Sequence, residues 1–368
     1  MNNTSKPVHE PLIHITKRAS IVWWKSWLIR AVAIIASLIV SALVIVVLTK
    51  YNPLQVYLEM FEGNFGSSRK VWVLLQNLAM LLCISLAVTP AFKMRFWNLG
   101  AEGQVLVGGL ASAACMFYAK DSMPNALLII VMLITSVLAG IIWGLIPAVC
   151  KAKWNTNESL FTLMMNYIAI QLVSFFIMVW VPNGSSVMGV INQSSKSGWL
   201  PDLFGQKYLF NILIVAVITI VMFVYLKYSK QGYEISVVGE SENTARYVGI
   251  SVKKVIIRTM IISGAISGIA GFLLVSGTNH TVSKNLAGGM GFTAIMVSWL
   301  AKFNPILMII TSFLIVFLQK GASEIATTFR LNESISDILT GIILFFIIGC
   351  EFFINYKINL RHKKKEGK

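Results

Sequence analysis

Ala31-Val-Ala-Ile-Ile-Ala-Ser-Leu-Ile-Val-Ser-Ala-Leu-Val-Ile-Val-Val-Leu-Thr49 carries no charge from end to end. A helix of about 20 mostly apolar residues is what crosses the hydrocarbon core of a bilayer, and this run has that length and that chemistry. Further runs of the same kind follow at Val71–Phe92, Glu102–Ala119, Asn125–Cys150, Leu160–Val181, Leu209–Leu226, Val255–Gly277, Phe292–Ala301, Pro305–Gln319 and Ile335–Ile354. The third, eighth and ninth runs are short or interrupted by Gly or Pro. Together the runs predict an all-α polytopic membrane protein of about ten transmembrane helices. Residues 1–30 form a polar N-terminal segment, 31–354 the membrane domain and 355–368 a basic tail. No small-residue cleavage site follows the first run, so it is expected to be a retained helix rather than a removed signal peptide.

Composition agrees. Of 368 residues only 12% are charged and 56% are hydrophobic, and mean hydropathy is +0.74. A soluble domain carries about 25% charge. Soluble enzymes, disordered tails and fibrous proteins are thereby excluded. The net charge of +16 does not mark a nucleic-acid binder, because the polar body such a protein needs is missing. Cys83, Cys115, Cys150 and Cys350 show neither CxxC nor Cys/His spacing, so they read as small buried hydrophobes and not as a zinc site or disulfide framework.

The basic residues have an orienting role. With the N-terminus cytoplasmic and the runs alternating, 22 of the 31 basic residues fall on the cytoplasmic side. Cytoplasmic loops carry this excess of Lys and Arg. Both termini are therefore expected to be cytoplasmic, which requires an even number of crossings.

Three segments could carry function. The first is Phe96-Trp-Asn-Leu-Gly-Ala-Glu-Gly-Gln104, which breaks the pattern between the second and third runs. Irregular backbone at membrane depth needs protein or a water-filled cavity to satisfy it. Asn98 and Glu102 either cap the third helix or belong to a gate on a substrate path. The second segment is the long polar stretch 227–254. Within it, Ser241 reads as a helix N-cap with acidic Glu240 and Glu242 beside it, and Gly249 closes the helix. A two-turn helix cannot stand alone in water, so it packs on its own surface or on a partner. The third segment is Gly288-Gly-Met-Gly-Phe292 and the short run after it. Its glycines allow a re-entrant turn. Both halves of the chain show helix, glycine-interrupted segment and short helix, a weak inverted repeat of the kind that flanks substrate paths. Asn98, Gln104, Asn166 and Gln171, with Phe292 and Trp299 as aromatic walls, are path candidates; ordinary helix packing or interfacial anchoring would equally explain each.

Three other classes compete with a substrate-path protein of this kind. An ion-coupled secondary transporter would want acids deep in the helices, and the centres of the runs hold essentially none. An intramembrane enzyme would want a cluster, but His9, His14, His280 and His362 all lie in loops or tails. A purely structural subunit is the third.

Three motifs in order bear on that choice. Phe96–Gln104 resembles the FNIGAEGQ-type segment of ATP-binding cassette (ABC) importer permeases. Gly239-Glu-Ser-Glu-Asn-Thr-Ala-Arg-Tyr-Val-Gly-Ile250 resembles their GEN-x-x-AARYAGI loop, and Gly291–Pro305 their GFTAIAVALLGRLNP stretch. The resemblance spans roughly Val71 to Ile354 and is to the branched-chain amino acid, ribose and nucleoside permease group, nearest the nucleoside or simple-sugar branch. It implies the ABC importer permease fold in a bacterial cytoplasmic membrane. It also implies a second, similar permease subunit, most simply in a heterodimer, a cytoplasmic ATP-binding protein and an extracellular substrate-binding lipoprotein. Membrane lipids surround the chain, and no nucleic acid is a partner. The ATPase-coupling loop carries over to Gly239, Glu240, Asn243, Ala245, Arg246, Tyr247 and Gly249. Ser241-Glu242 and Thr244 depart from the family pattern without breaking the helix. The sequence has no G-x-x-x-x-G-K-[ST], so no cofactor is expected on this chain, which is not expected to be an enzyme; ATP would act through partner subunits. Nucleosides are the expected cargo, with simple sugars such as ribose as the alternative.

Overall fold

A computed structural model describes residues 13–18, 22–49, 51–120, 122–181 and 187–360. Expectations for residues 1–12 and for the basic tail from Arg361 onward lie outside the described residues. The helices are α1 (Trp23–Thr49), α2 (Pro53–Phe65), α3 (Ser68–Lys93), α4 (Ala101–Tyr118), α5 (Asn125–Trp154), α6 (Glu158–Trp180) and α7 (Leu209–Tyr228). They continue with α8 (Lys230–Glu240), α9 (Glu242–Tyr247), α10 (Val252–Leu274), α11 (Met290–Leu300), α12 (Pro305–Thr328) and α13 (Glu333–Asn355). A π-helical turn, Val275–Asn279, ends α10.

Among the described residues, eight helices are long and apolar enough to cross a membrane. The predicted third and eighth runs, now α4 and α11, fall outside that set. α4 is diluted by Glu102, Gln104 and several glycines, and α11 has only 11 residues. The first run begins earlier than the apolar stretch itself, at Trp23, and the ninth continues through Lys320 and Glu324 to Thr328.

The chain forms two compact units. In the larger, Phe65–Phe317, α10 and α3 are central: 78% and 67% of their most apolar windows are buried, against 22% for α5 and 28% for α7. Lipid is as apolar as leucine, so close helix packing here depends on small residues. α10 presents Gly264 and Gly268 to Gly140 and Ser136 of α5, so closely that a methyl at Gly140 would run into the Gly264 carbonyl. Ser136 Oγ donates to the carbonyls of Gly108 (2.9 Å) and Gly268 (2.6 Å), tying α4, α5 and α10 at one point.

The smaller unit contains Met1–Asn64 and Leu318–Lys368. There α1 packs on α13, with Arg30 paired to Glu351 at 2.6 Å. A feature absent from the sequence reading joins the ends: β1 (Ile13–Lys17) pairs antiparallel with β2 (Tyr356–Leu360), Ile13 opposite Leu360 and Lys17 opposite Tyr356. The start of α1 and the end of α13 therefore lie on one face, as an even number of crossings requires.

Candidate functional site

The break between α3 and α4 is held by side chains from two other helices. α3 closes with Phe96 N–H donating to the Ala91 carbonyl at 2.9 Å. Asn98 then accepts from Gly100 N–H (3.0 Å) and donates to Ser263 Oγ of α10 (3.2 Å). Leu99 N–H donates to Thr162 Oγ1 of α6 (3.1 Å). The Asn166 amide spans the break, donating to the Leu99 carbonyl (2.7 Å) and accepting from Gly103 N–H (2.8 Å). Ser267 Oγ of α10 donates to Gln104 Oε1 at 3.0 Å. Asn98, Gln104 and Asn166 are 0%, 1% and 3% exposed. Buried backbone freed from a helix must be answered inside the protein, and α6 and α10 supply the partners.

Glu102 does something the sequence did not disclose. It favours the first turn of its own helix, as expected, but its carboxylate reaches the start of α11. Oε1 accepts from Gly289 N–H at 2.9 Å and Oε2 from Gly291 N–H at 2.8 Å. Gly289 has φ +76°, which turns the chain into α11. Two helix N-termini thus meet at one carboxylate that is 8% exposed. Each terminus carries a partial positive charge, and together they compensate the anion. Among the described residues no Lys or Arg pairs with it.

α11 is about 16 Å long at 1.5 Å per residue. Trp299 near its C-terminal end lies 5.5 Å from Trp97, ring centre to ring centre, while Glu102 holds its N-terminal end. The stretch from Trp97 to Glu102 therefore runs between the two ends of α11.

The polar stretch after α7 is mostly helical. Ser229 caps α8 by accepting from Gly232 N–H (2.9 Å), and Ser241 caps α9 by accepting from Thr244 N–H (3.2 Å). Past α9, Gly249 at φ +82° donates to the Arg246 carbonyl (3.1 Å), and Ile250 N–H to the Ala245 carbonyl (2.9 Å). That is the Schellman arrangement, which needs the left-handed conformation glycine adopts freely. Ala245 is fully buried in a cluster with Met94, Phe96, Ile235, Val238 and Val252, and Gly239 presses on the Lys93 carbonyl. Arg258 of α10 holds Glu234 of α8 at 2.9 Å. Outward, Tyr247 is 94% and Val248 60% exposed. Glu240, Asn243 and Arg246 are also exposed, and the Arg246–Glu242 pair (3.3 Å) is open to solvent and adds little stability.

The family model described as "Branched-chain amino acid transport system / permease component" matches residues 72–348. The chain belongs to this permease family. It is 31% identical over 324 residues to the guanosine ABC transporter permease protein NupP of Bacillus subtilis, covering 87% of this chain and 92% of that one. It is 29% identical to the nucleoside ABC transporter permease protein NupB of Lactococcus lactis, covering 87% and 90%. It is 24% identical to the glucose ABC transporter permease protein TsgB13 of Haloferax volcanii, covering 96% and 95%. No solved structure matches it.

As a multi-pass membrane permease, the protein divides the seven path candidates into two groups. Asn98, Glu102, Gln104 and Asn166 are gathered at the break, where their polar atoms are occupied by backbone and by serines. Gln171, Phe292 and Trp299 are not gathered with them. Gln171 lies on the exposed face of α6. Phe292 and Trp299 are 43% and 50% exposed on α11 and, with Met296, form one stripe. Thr162, Ser263 and Ser267 escaped the sequence reading, although Ser263 and Ser267 stand four apart on α10.

Proposed function

We propose that this permease is the membrane-spanning subunit of an ABC importer for nucleosides. What carries this is the alignment, over 87% of the chain in both cases, with the guanosine and nucleoside permeases. The partners on this reading are a second permease subunit, a cytoplasmic ATP-binding protein that hydrolyses the ATP, and an extracellular substrate-binding lipoprotein. The basic side is cytoplasmic, and both termini lie there.

α9 is the docking element for the ATPase. It offers an exposed aromatic, Tyr247, on a helix anchored underneath by Ala245. The anchor touches Met94 and Phe96, which lead directly into the break at Asn98 and so to Glu102 and α11. Movement of α9 with the ATPase would pass along this chain of contacts and change the population of outward- and inward-facing states.

A sugar cargo is the second reading, favoured by the glucose permease, whose alignment covers 96% of the chain. Uptake of labelled guanosine, uridine or adenosine by cells expressing the complete transporter, competed with ribose and glucose, separates the two. No transporter-dependent uptake of any labelled nucleoside, alongside transporter-dependent uptake of labelled ribose or glucose, would overturn the nucleoside assignment.

A further inference from the structure

Where α3 ends, α8 passes and α11 turns into α12, two cavities of about 490 Å³ and 400 Å³ adjoin. Lys93, Ser236, Lys302 and Phe303 line both, so they form one groove. Arg95 lines the larger part and Lys227 the smaller, giving four cations against one acid, Glu240. The positive-inside tendency requires only that such residues lie on one face; it does not require them to converge on one concavity.

Two further observations mark the groove as built. Trp97 and Trp299 line its larger part and are 45% and 50% exposed there. Apolar walls with convergent polar groups are what a ligand site offers. The backbone is also left-handed at three lining residues, Arg95 (φ 61°), Lys302 (φ 51°) and Phe303 (φ 60°). Non-glycine residues adopt that region at a cost, and such positions collect at ligand clamps.

Four cations suit an anion of more than one charge or a diester flanked by donors, and the indoles suit a planar or acyl body beside it. We propose that this groove binds a phosphate ester, with the phosphate among Lys93, Arg95 and Lys302 and the esterified body against Trp97 and Trp299. Two sources offer that chemistry: the headgroup of an anionic phospholipid, for which basic pockets between membrane helices are suited, and a free nucleoside monophosphate. The groove shares Trp299 with the cargo-path candidates, but its cations Lys93, Arg95 and Lys302 belong to none of them, and the adenosine control separates the two readings. Because Gly239 and Glu240 also line it, its ligand would bridge α3, α8 and the α11–α12 turn.

The test is thermal unfolding of the full chain, delipidated in neutral detergent, with AMP against adenosine and phosphatidylglycerol against phosphatidylcholine. A ligand that binds the folded state raises the unfolding temperature. The expected result is a rise with AMP, with phosphatidylglycerol or with both, and a fall of at least about tenfold in apparent affinity in the Arg95→Gln/Lys302→Gln variant. The rise should shrink at high salt, a check that needs no variant. A rise with AMP alone assigns the free phosphate and with phosphatidylglycerol alone the lipid. No rise with either, a rise no larger than with uncharged adenosine or zwitterionic phosphatidylcholine, or unchanged affinity in the double variant overturns the proposal.

Discussion

Glu102 on the first turn of α4 closes the first turn of α11, its two carboxylate oxygens taking the N–H groups of Gly289 and Gly291 at 2.9 and 2.8 Å. These partners are 187 and 189 residues away in sequence. A carboxylate in a membrane domain is normally a cost that a cation must offset; here two helix termini do it.

Glu102→Gln should therefore destabilise the protein. The amide retains one acceptor and sets its NH₂ against a backbone N–H, leaving a buried donor unanswered at about 1–3 kcal/mol. Thermal unfolding of the purified protein should show the loss, and an unfolding temperature equal to wild type would refute the helix-closing role.

Asn166→Ala and Gln171→Ala make an internal contrast on one helix. The first strips partners from both Gly103 N–H and the Leu99 carbonyl and should cost at least about 1–3 kcal/mol. The second removes an exposed side chain and should stay within about 0.5 kcal/mol. Equal effects on the unfolding temperature would mean that the break does not depend on α6.

At α9, the proposed docking element, Arg246→Glu places a second carboxylate four residues from Glu242, and Gly249→Pro cannot adopt φ +82°. Both should abolish uptake while membrane insertion, read by protease protection, stays intact. Wild-type uptake in both variants would remove α9 from the coupling role.

Stability should fall as the pH drops from 6.5 toward 4, partly through His280. Burial, reinforced by the Lys207 charge, holds its imidazole down to about 4, against smaller opposing effects of a Ser276 backbone hydrogen bond and Asp202. The ring stacks on Trp199 at 3.7 Å. An unfolded histidine takes its proton near pH 6.5, so between these values the unfolded chain binds more protons and is favoured. His280→Asn, which tolerates the left-handed backbone there (φ 52°), should flatten the acid limb of a plot of unfolding temperature against pH. The same slope in variant and wild type would show that this ring plays no part.

How much was legible divides by range. α9 could be read residue by residue, because Ser241 bonds three residues ahead and Gly249 closes a turn three residues back; capping is local chemistry. α8 was missed, since its apolar positions Ile235 and Val238 make sense only against Met94 and Phe96. Asn98, Gln104 and Asn166 could be picked out as polar residues in an apolar pattern, yet which of them meet could not be read.

By itself the sequence determined the membrane class, the approximate places of the crossings and the caps of α9. Run length, charge and capping are properties of neighbouring residues, which any fold of the chain must respect. Only the tertiary structure decided that Glu102 closes α11, that Asn166 carries the break and that Ile13 pairs with Leu360. Those partners are chosen by which helices pack together, and in a bilayer that choice rests on small-residue seams and buried hydrogen bonds, to which apolar periodicity is blind.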